Sequence, residues 1–414
     1  MNNIAALILA GGKGQRMGVL CHSRPKPALP FAGNYRVIDF ALSNCFHSGI
    51  GDIAVLTDYR RAYLADYIAR WRAANSPRAN LRALEPGNGC YAGTADAVFQ
   101  NLDVLEKEAV LVLAADHVYK LDYRRMLEFH RRARADVTVG VVDVPPEQAF
   151  RFGMVDTAAD GRITGFFEKS SAAWGCPASM GVYVFNREIL ARLLTADAAD
   201  AASCHDFGYS VLPRAVSDCR MFAFRFDGYW RDVGTVSTYY ETSMDLLRVR
   251  PRFRLSGRSP VLTQEQFITP SCISRRGDIV NSLVSPGCII RGRVENSVLS
   301  PRVWVAEGAV VRDSIIMGDV FIGRDSIVDG CILDEGVKIG GHSYIGLGHV
   351  PNSADENITV LAQGTSVPPD TIIEHKRKVS PERVPAVPPD GVLINTVPMG
   401  DAGAASQDIS VVRS

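Results

Sequence analysis

Two different hydrophobic periods divide this chain. From Ile4 to about Arg250, short apolar runs alternate with longer amphipathic stretches. The runs at 4–9, 53–56, 109–113, 137–142 and 180–185 read as strands, and 63–73, 94–105, 123–135 and 187–194 read as helices. Strands of unbroken hydrophobicity separated by helices predict an α/β domain, a doubly wound, mainly parallel sheet covered on both faces. In such sheets ligands bind at the carboxyl ends of the strands.

Beyond a polar, proline-containing stretch after Arg250 the spacing becomes six. Leu299, Val305 and Val311 form one triplet, Ile316, Ile322 and Val328 a second, and Leu333, Ile339 and Ile345 a third, each starting 17 residues after the last. Three short strands per coil, each aiming one apolar residue inward and turning at Gly, Asp or Ser, predict a triangular parallel β-helix. Spacing alone does not fix its hand. The expected boundaries are a domain at 1–250, a linker at 251–265, a β-helix at 266–365 and a proline-rich, partly disordered tail at 366–414. The six-residue pattern fades after about Gly348, and the Ala-, Ser- and Gly-rich end is expected to be mobile.

Composition narrows the function classes. With 45 basic and 45 acidic residues the formal net charge is zero, which argues against a general nucleic-acid or membrane-surface binder. No apolar run is long enough to cross a bilayer, and the nine cysteines include no C-x-x-C pair. The expectation is a soluble cytoplasmic protein with reduced thiols.

Candidate chemistry clusters in the first domain. The strand at 4–9 breaks into Ala10-Gly-Gly-Lys-Gly-Gln-Arg16. Gly11, Gly12 and Gly14 let the backbone approach an anion, and Lys13 and Arg16 supply cations for phosphate oxygens. Lys26 follows between two prolines. Asp116 ends an apolar strand, and Asp232 lies in Gly228-Tyr-Trp-Arg-Asp-Val-Gly234; two converging carboxylates suit a hard cation such as Mg²⁺. Glu168 and Lys169 close a strand-like run. Alternation would put them on opposite faces, so the strand must end or twist there.

The text LAGGKGQRM, SRPKPALPF and NYRVIDFALSNCFHSGI, with Tyr91 preceding GTADA, closely resembles the nucleoside triphosphate–sugar-1-phosphate nucleotidyltransferases, and within them the bacterial glucose-1-phosphate adenylyltransferases. The resemblance implies transfer of the adenylyl group of ATP to glucose 1-phosphate, for glycogen or a related α-glucan, and a left-handed β-helix. It implies Arg16, Lys26 and Asp116 as catalytic residues and Asp116 with Asp232 as Mg²⁺ ligands. It assigns Gly11, Gly12, Lys13, Gly14, Arg16, Lys26, Gly93 and Thr94 to ATP, and Tyr91, Gly153, Glu168, Lys169 and Ser179 to glucose 1-phosphate. It further implies a homo-oligomer, a tetramer in the family. His117 is not expected to be a general base, because the attacking phosphate is already ionised at neutral pH.

Three rival readings stand beside this one, the first of the same class and the others not. Uridylyl or thymidylyl transfer would use the same glycine loop, which grips phosphates and not the base. A non-catalytic regulatory subunit is disfavoured by the intact Lys13, Arg16, Asp116, Lys169 and Asp232. An acyltransferase solenoid is disfavoured because His342 is the only histidine from Leu283 to Ile345. Ser23, Asn34 and Asp58 depart from the family where it responds to anionic activators, so weak activation is expected.

Overall fold

The computed structural model describes residues 3–104, 106–170, 175–264, 269–350 and 358–381. The first domain is built from β1 (Ile4–Leu9), a small hairpin of β2 (Pro30–Phe31) and β3 (Tyr35–Arg36), α1 (Ile38–His47), β4 (Asp52–Leu56), α2 (Arg61–Asn75) and β5 (Asn80–Leu84). It continues with α3 (Thr94–Phe99), β6 (Ala109–Ala114), β7 (His117–Tyr119), α4 (Tyr123–Arg132), β8 (Val137–Val142), β9 (Gly153–Thr157) and β10 (Ile163–Glu168). Then come β11 (Ala178–Asn186), α5 (Arg187–Ala198), α6 (Leu212–Asp218), β12 (Met221–Arg225), β13 (Trp230–Asp232) and α7 (Val236–Met244).

Nine strands form the main sheet in the order β10-β9-β11-β6-β1-β4-β5, with β8 pairing β11 and β12 outside β8. The pairs β6-β1, β1-β4, β4-β5 and β8-β12 are parallel. Antiparallel pairing enters through β11, against β6 and β8, and through the β9–β10 hairpin. Strand alternation sends Ile4, Ala6 and Ile8 into one apolar layer and Ala5 and Leu7 into the other. Both faces of β1 are therefore buried, which is why its sequence shows no polar alternation. The helix expected over 94–105 ends at Phe99 and a 3₁₀ turn follows at Leu102–Val104; residue 105 lies outside the described residues.

The six-residue period is a three-faced parallel β-helix of three six-stranded sheets, from Cys272–Ile273 to Lys378–Val379. Several corners take a left-handed backbone at Asn or Asp, among them Asn296, Asp313, Asp319 and Asp325. Short polar side chains tolerate that conformation best after glycine. The ladders do not stop at the expected 365. Ser366–Val367, Ile372–Glu374 and Lys378–Val379 stack on the preceding coil. The repeat had become illegible because extra chain enters between Tyr344–Leu347 and Thr359–Leu361. Ile322 pairs with Ile339, 17 residues on, but Ile339 pairs with Val367. Val367, Ile373 and Val379 are themselves six apart. Residues 382–414, including the expected mobile end, lie outside the described residues.

The stretch expected to be a linker is a packed strap. Phe253 and Val261 are buried, the Leu262 amide donates to Ser43 Oγ, and its carbonyl accepts from the Trp71 indole. Ion pairs join the two domains: Arg24 Nη2 lies 2.7 Å from Asp334 Oδ1, both side chains fully buried, and Arg36 Nη2 lies 2.9 Å from Glu335 Oε1. Burial alone would lower the Arg24 pKa, yet Asp334 and Glu335 outweigh it and leave it raised.

Asp39, on α1, is buried and accepts from the Arg36 amide and the Tyr67 hydroxyl. Desolvation dominates those bonds and pushes its carboxyl up to about 7. Unfolded, an Asp ionises near ~4. Between the two values only the folded chain keeps the proton, so this contribution to stability is complete below about pH 4 and is lost as pH rises through about 7. Urea denaturation from about pH 5 to about pH 8 should show a decline that Asp39→Asn flattens. Parallel curves for the two proteins would mean that Asp39 is ionised in the fold.

Candidate active site

Register brings the candidate residues to one edge of the sheet. Leu9 at the end of β1 pairs with Ala114 at the end of β6, so the glycine loop leaves the sheet beside Asp116. β11 runs the opposite way, and its beginning, Ala178 to Gly181, therefore lies at that same edge. Glu168 at the end of β10 pairs with Gly153 at the start of β9. A separate two-stranded ladder pairs His117 with Asp232, which sets the Asp116 and Asp232 carboxylates side by side. Asp232 is thus on a short strand, and Thr235 caps α7 behind it with a capping box.

Like charges so close need a counterion, and Lys26 supplies it. Its Nζ is 2.6 Å from Asp116 Oδ2 and 3.5 Å from Asp232 Oδ1. Burial works against a charged lysine, but the two carboxylates prevail and hold its pKa above the ordinary value. Burial likewise opposes ionisation of Asp116, and Lys26 and then His117 overcome it, keeping this carboxyl well below its usual range. His117 Nδ1 lies 2.8 Å from the Met180 carbonyl, which can only accept, so that nitrogen carries the proton. Nε2 then faces Asp116 Oδ1 at 3.5 Å and Asp232 Oδ1 at 3.8 Å. Gly181, at φ +64°, leaves room for that ring: a Cβ there would come within 3.1 Å of His117 Cε1.

The glycine loop is exposed at Gly12, Lys13 and Arg16. Gly14 has φ +66°, and a Cβ would sit 2.9 Å from Cys21 Sγ and 3.1 Å from Lys26 Cβ, so glycine is what allows the loop to close over Lys26. Lys13 projects into an open cleft of about 770 Å³ shared with Ser23, Asp58 and Tyr91. Arg16 lies over Gly234, whose Cβ would be 3.3 Å from its Nη2 and 2.9 Å from Asp232 Oδ2. Gly93 backs onto the His205 carbonyl, 2.2 Å from where a Cβ would fall. The Thr94 hydroxyl donates to Asp206 Oδ2 at 2.8 Å and accepts from the Phe207 amide, so it fixes the 206–207 turn.

At the far end of this edge, β10 stops at Glu168 and Lys169 takes φ 49°. That turn resolves the alternation problem and brings Lys169 Nζ to 3.3 Å from Glu168 Oε1. Gly153 and Gly208 press on Glu168, each too close for a Cβ. Burial raises the Glu168 pKa against the pull of Lys169. Lys169 is 46 % exposed and sits 5.2 Å above the Tyr209 ring. Ser179 Oγ donates to the Tyr183 hydroxyl and accepts from the Gly181 amide. Asp206 and Tyr209 complete this surface and escaped the sequence reading, whereas His117 was weighed there only as a general base and set aside. Only His117, next to Asp116, carried a visible signal; Asp206 and Tyr209 arrive on a π-helical turn whose position follows from the fold.

Residues 5–249 match the family described as "Nucleotidyl transferase", and residues 266–367 match the "GlmU-like, C-terminal hexapeptide" family. The chain is 41% identical over 88% of its length to the glucose-1-phosphate adenylyltransferase of Acetivibrio thermocellus, covering 90% of that protein. It is 41% identical to the enzyme of the same name from Thermomicrobium roseum, over 96% of this chain and 99% of that one. The Desulfitobacterium hafniense protein of that name is 40% identical over 90% of this chain and 97% of its own. This chain belongs to the glucose-1-phosphate adenylyltransferase family. It is an enzyme of the nucleotidyltransferase class, whose second domain is the hexapeptide β-helix.

Nucleotidyltransferases of this kind use a divalent metal, and the residues fit one. Ligand atoms of Asp116, His117 and Asp232 lie within 4.8 Å of one another, and two of the three are hard carboxylate oxygens. Among the described residues no helix is long and apolar enough to cross a membrane.

Gly93 allows a comparison with Gly12, whose Cβ would meet nothing within 4 Å. Gly93→Ala must displace the 203–206 backbone and should cost on the order of 1–3 kcal/mol in urea denaturation, while Gly12→Ala should be near neutral. Equal losses would show that the contact with His205 is not what restricts position 93.

Proposed function

We propose that this chain transfers the adenylyl group of ATP to α-D-glucose 1-phosphate, giving ADP-glucose and pyrophosphate, at the edge where Asp116, Asp232 and Lys26 meet. The observation that carries the reading is this acidic pair bridged by a buried lysine, beside the glycine loop and at the same sheet edge as the Glu168–Lys169 corner. In this assignment Gly11, Gly12 and Gly14, with Lys13 and Arg16, cradle the triphosphate, and Gly93 and Thr94 wall the nucleotide. Lys169 holds the sugar phosphate, and Glu168, Ser179, Tyr91 and the Gly153 backbone orient the sugar. A phosphate oxygen of glucose 1-phosphate attacks the α-phosphorus of ATP, and the bond to the departing pyrophosphate breaks.

The attacking oxygen is already ionised, so the residues need only align it and stabilise charge. Asp116 and Asp232 would hold Mg²⁺, which supplies charge neutralisation to the triphosphate oxygens. Lys26, freed from part of its hold on Asp116, would lie beside the reacting phosphates. By resemblance the assembly is a homotetramer in the cytoplasm. The relatives' shared name favours adenylyl over uridylyl or thymidylyl transfer. A pyrophosphate-release assay with glucose 1-phosphate and each nucleotide tests this, and release with UTP or dTTP exceeding that with ATP would reject it.

Two substitutions separate the roles. Asp116→Asn keeps the shape and should lower kcat by roughly two or more orders of magnitude. Near-wild-type turnover would remove Asp116 from the mechanism. Lys169→Gln should raise KM for glucose 1-phosphate strongly and leave KM for ATP nearly unchanged, because Lys13 and Arg16 lie on the β1 side of the edge. Parallel rises in both would make Lys169 a structural or shared residue.

Regulation should be weak. Arg24 and Arg36 are already engaged by Asp334 and Glu335, Ser23 and Asn34 carry no charge, and Asp58 adds a carboxylate. A ligand shifts an equilibrium only by its differential affinity for two states. Saturating fructose 1,6-bisphosphate should therefore change kcat/KM less than about tenfold, the equivalent of ~1.4 kcal/mol. A larger activation would locate an anion site elsewhere.

A further inference from the structure

A second cluster of metal-type ligands lies on the β-helix, away from the candidate active site. A carboxylate oxygen from each of Asp313 and Asp329 and a ring nitrogen of His349 lie within 4.8 Å of one another. The cluster opens into a cleft of about 900 Å³ between the solenoid and the end of the first domain, lined by Tyr240, Met244, Asp313 and His349 among others.

Its construction is visible in the coil register. Val280 pairs with Glu295, Glu295 with Arg312 and Arg312 with Asp329, so the next residues, Asn281, Asn296, Asp313 and Gly330, stack at one corner. Asn281 donates to Asn296, and Asn296 donates to Asp313 Oδ1. The column then loses its side chain at Gly330, φ +60°, where a Cβ would stand 2.3 Å from the His349 ring. His349 occupies the space that the glycine vacates, above Asp313.

The polar atoms there are unmatched. Asp329 is 3 % exposed, and Arg312 Nη2 holds its Oδ2 at 2.6 Å. Its Oδ1 is buried without a hydrogen-bond partner, as are both ring nitrogens of His349. A neutral imidazole carries one donor and one acceptor, and leaving both unmade, next to an orphaned carboxylate oxygen, costs free energy that native interiors avoid. Arg312 neutralises one of the two carboxylates, so the cluster keeps a net negative charge. Its outer contacts resemble those that orient metal ligands: a guanidinium fixes one carboxylate and an amide the other.

We propose that Asp313, Asp329 and His349 form a site for a first-row divalent ion, Zn²⁺ by its mixture of one nitrogen and two oxygen ligands. Mg²⁺ prefers oxygen alone and suits Asp116 and Asp232 better. The Asp313 carbonyl accepts from the Tyr240 hydroxyl at 2.6 Å, and Tyr240 is on α7, just after Asp232. The ion fastens the solenoid corner on which α7 rests.

The test titrates the chelator-stripped full chain with Zn²⁺ by calorimetry and with Co²⁺ by visible absorption. Wild type, Asp232→Asn, and Asp232→Asn combined with His349→Ala or with Asp313→Asn are compared, with circular dichroism to check folding. The expected result is an ion that remains bound in Asp232→Asn, where the active-site pair is broken, and that binds roughly 100-fold or more weakly once His349→Ala or Asp313→Asn is added to that variant. Should the variant with His349→Ala fail to fold, the one with Asp313→Asn decides. No ion on the wild-type chain, loss of the ion in Asp232→Asn, or full retention once Asp313→Asn is added to it would overturn the site.

Discussion

The contact between Lys26 and the Asp116–Asp232 pair is what the candidate site depends on. Two carboxylates held side by side repel each other, and in a partly buried setting that repulsion is not screened away. A buried lysine has the opposite problem. Placing the three together solves both, and Lys26 Nζ sits 2.6 Å from Asp116 and 3.5 Å from Asp232. The same arrangement holds the ligand atoms of Asp116, His117 and Asp232 within 4.8 Å of one another, close enough to share a cation. Charge and geometry here are one constraint.

That constraint reaches into both domains. Lys26 begins a 3₁₀ turn, and two residues before it Arg24 is locked to Asp334 of the solenoid. Removing one partner of such a fully buried pair strands the other charge, a loss on the order of 3–5 kcal/mol. The β-helix is therefore part of the support for the segment that carries Lys26. On the other side, α7 leaves the site directly after Asp232 and rests on the solenoid through Tyr240 and the Asp313 carbonyl. The Asp232 segment and the counterion are thus braced from outside the sheet. Arg24 and Arg36, cations that would suit an anionic effector, are engaged in that bracing.

Much of this was legible in the residues alone. Unbroken apolar runs announced strands buried on both faces, because each face of β1 meets its own layer of helices. The six-residue period announced the solenoid, because each coil must present one apolar side chain per face. Asp116 stood out because a carboxylate at the end of an apolar strand needs a reason to be there, and Asp232 because it lies in a glycine-flanked aromatic segment. The turn at Glu168–Lys169 follows from alternation once both side chains must face one ligand, as the resemblance implies, and Lys169 takes a left-handed backbone there.

Tertiary structure decided what local pattern cannot express. The antiparallel course of β11 brings Ser179 and Gly181 to the edge that holds Asp116, and strand direction leaves no mark on hydrophobicity. The last coil, to Val379, was hidden because extra chain breaks the 17-residue step while the ladder simply closes over it. The supposed linker is a strap, pinned to the fold by two buried apolar residues, Phe253 and Val261. Asp206 and Tyr209 join Lys169 from sequence far away, and Arg24 meets Asp334 across 310 positions. Composition and period depend on a residue's near neighbours and so survive in the sequence. Pairings between distant charges exist only once the fold has fixed which surfaces meet.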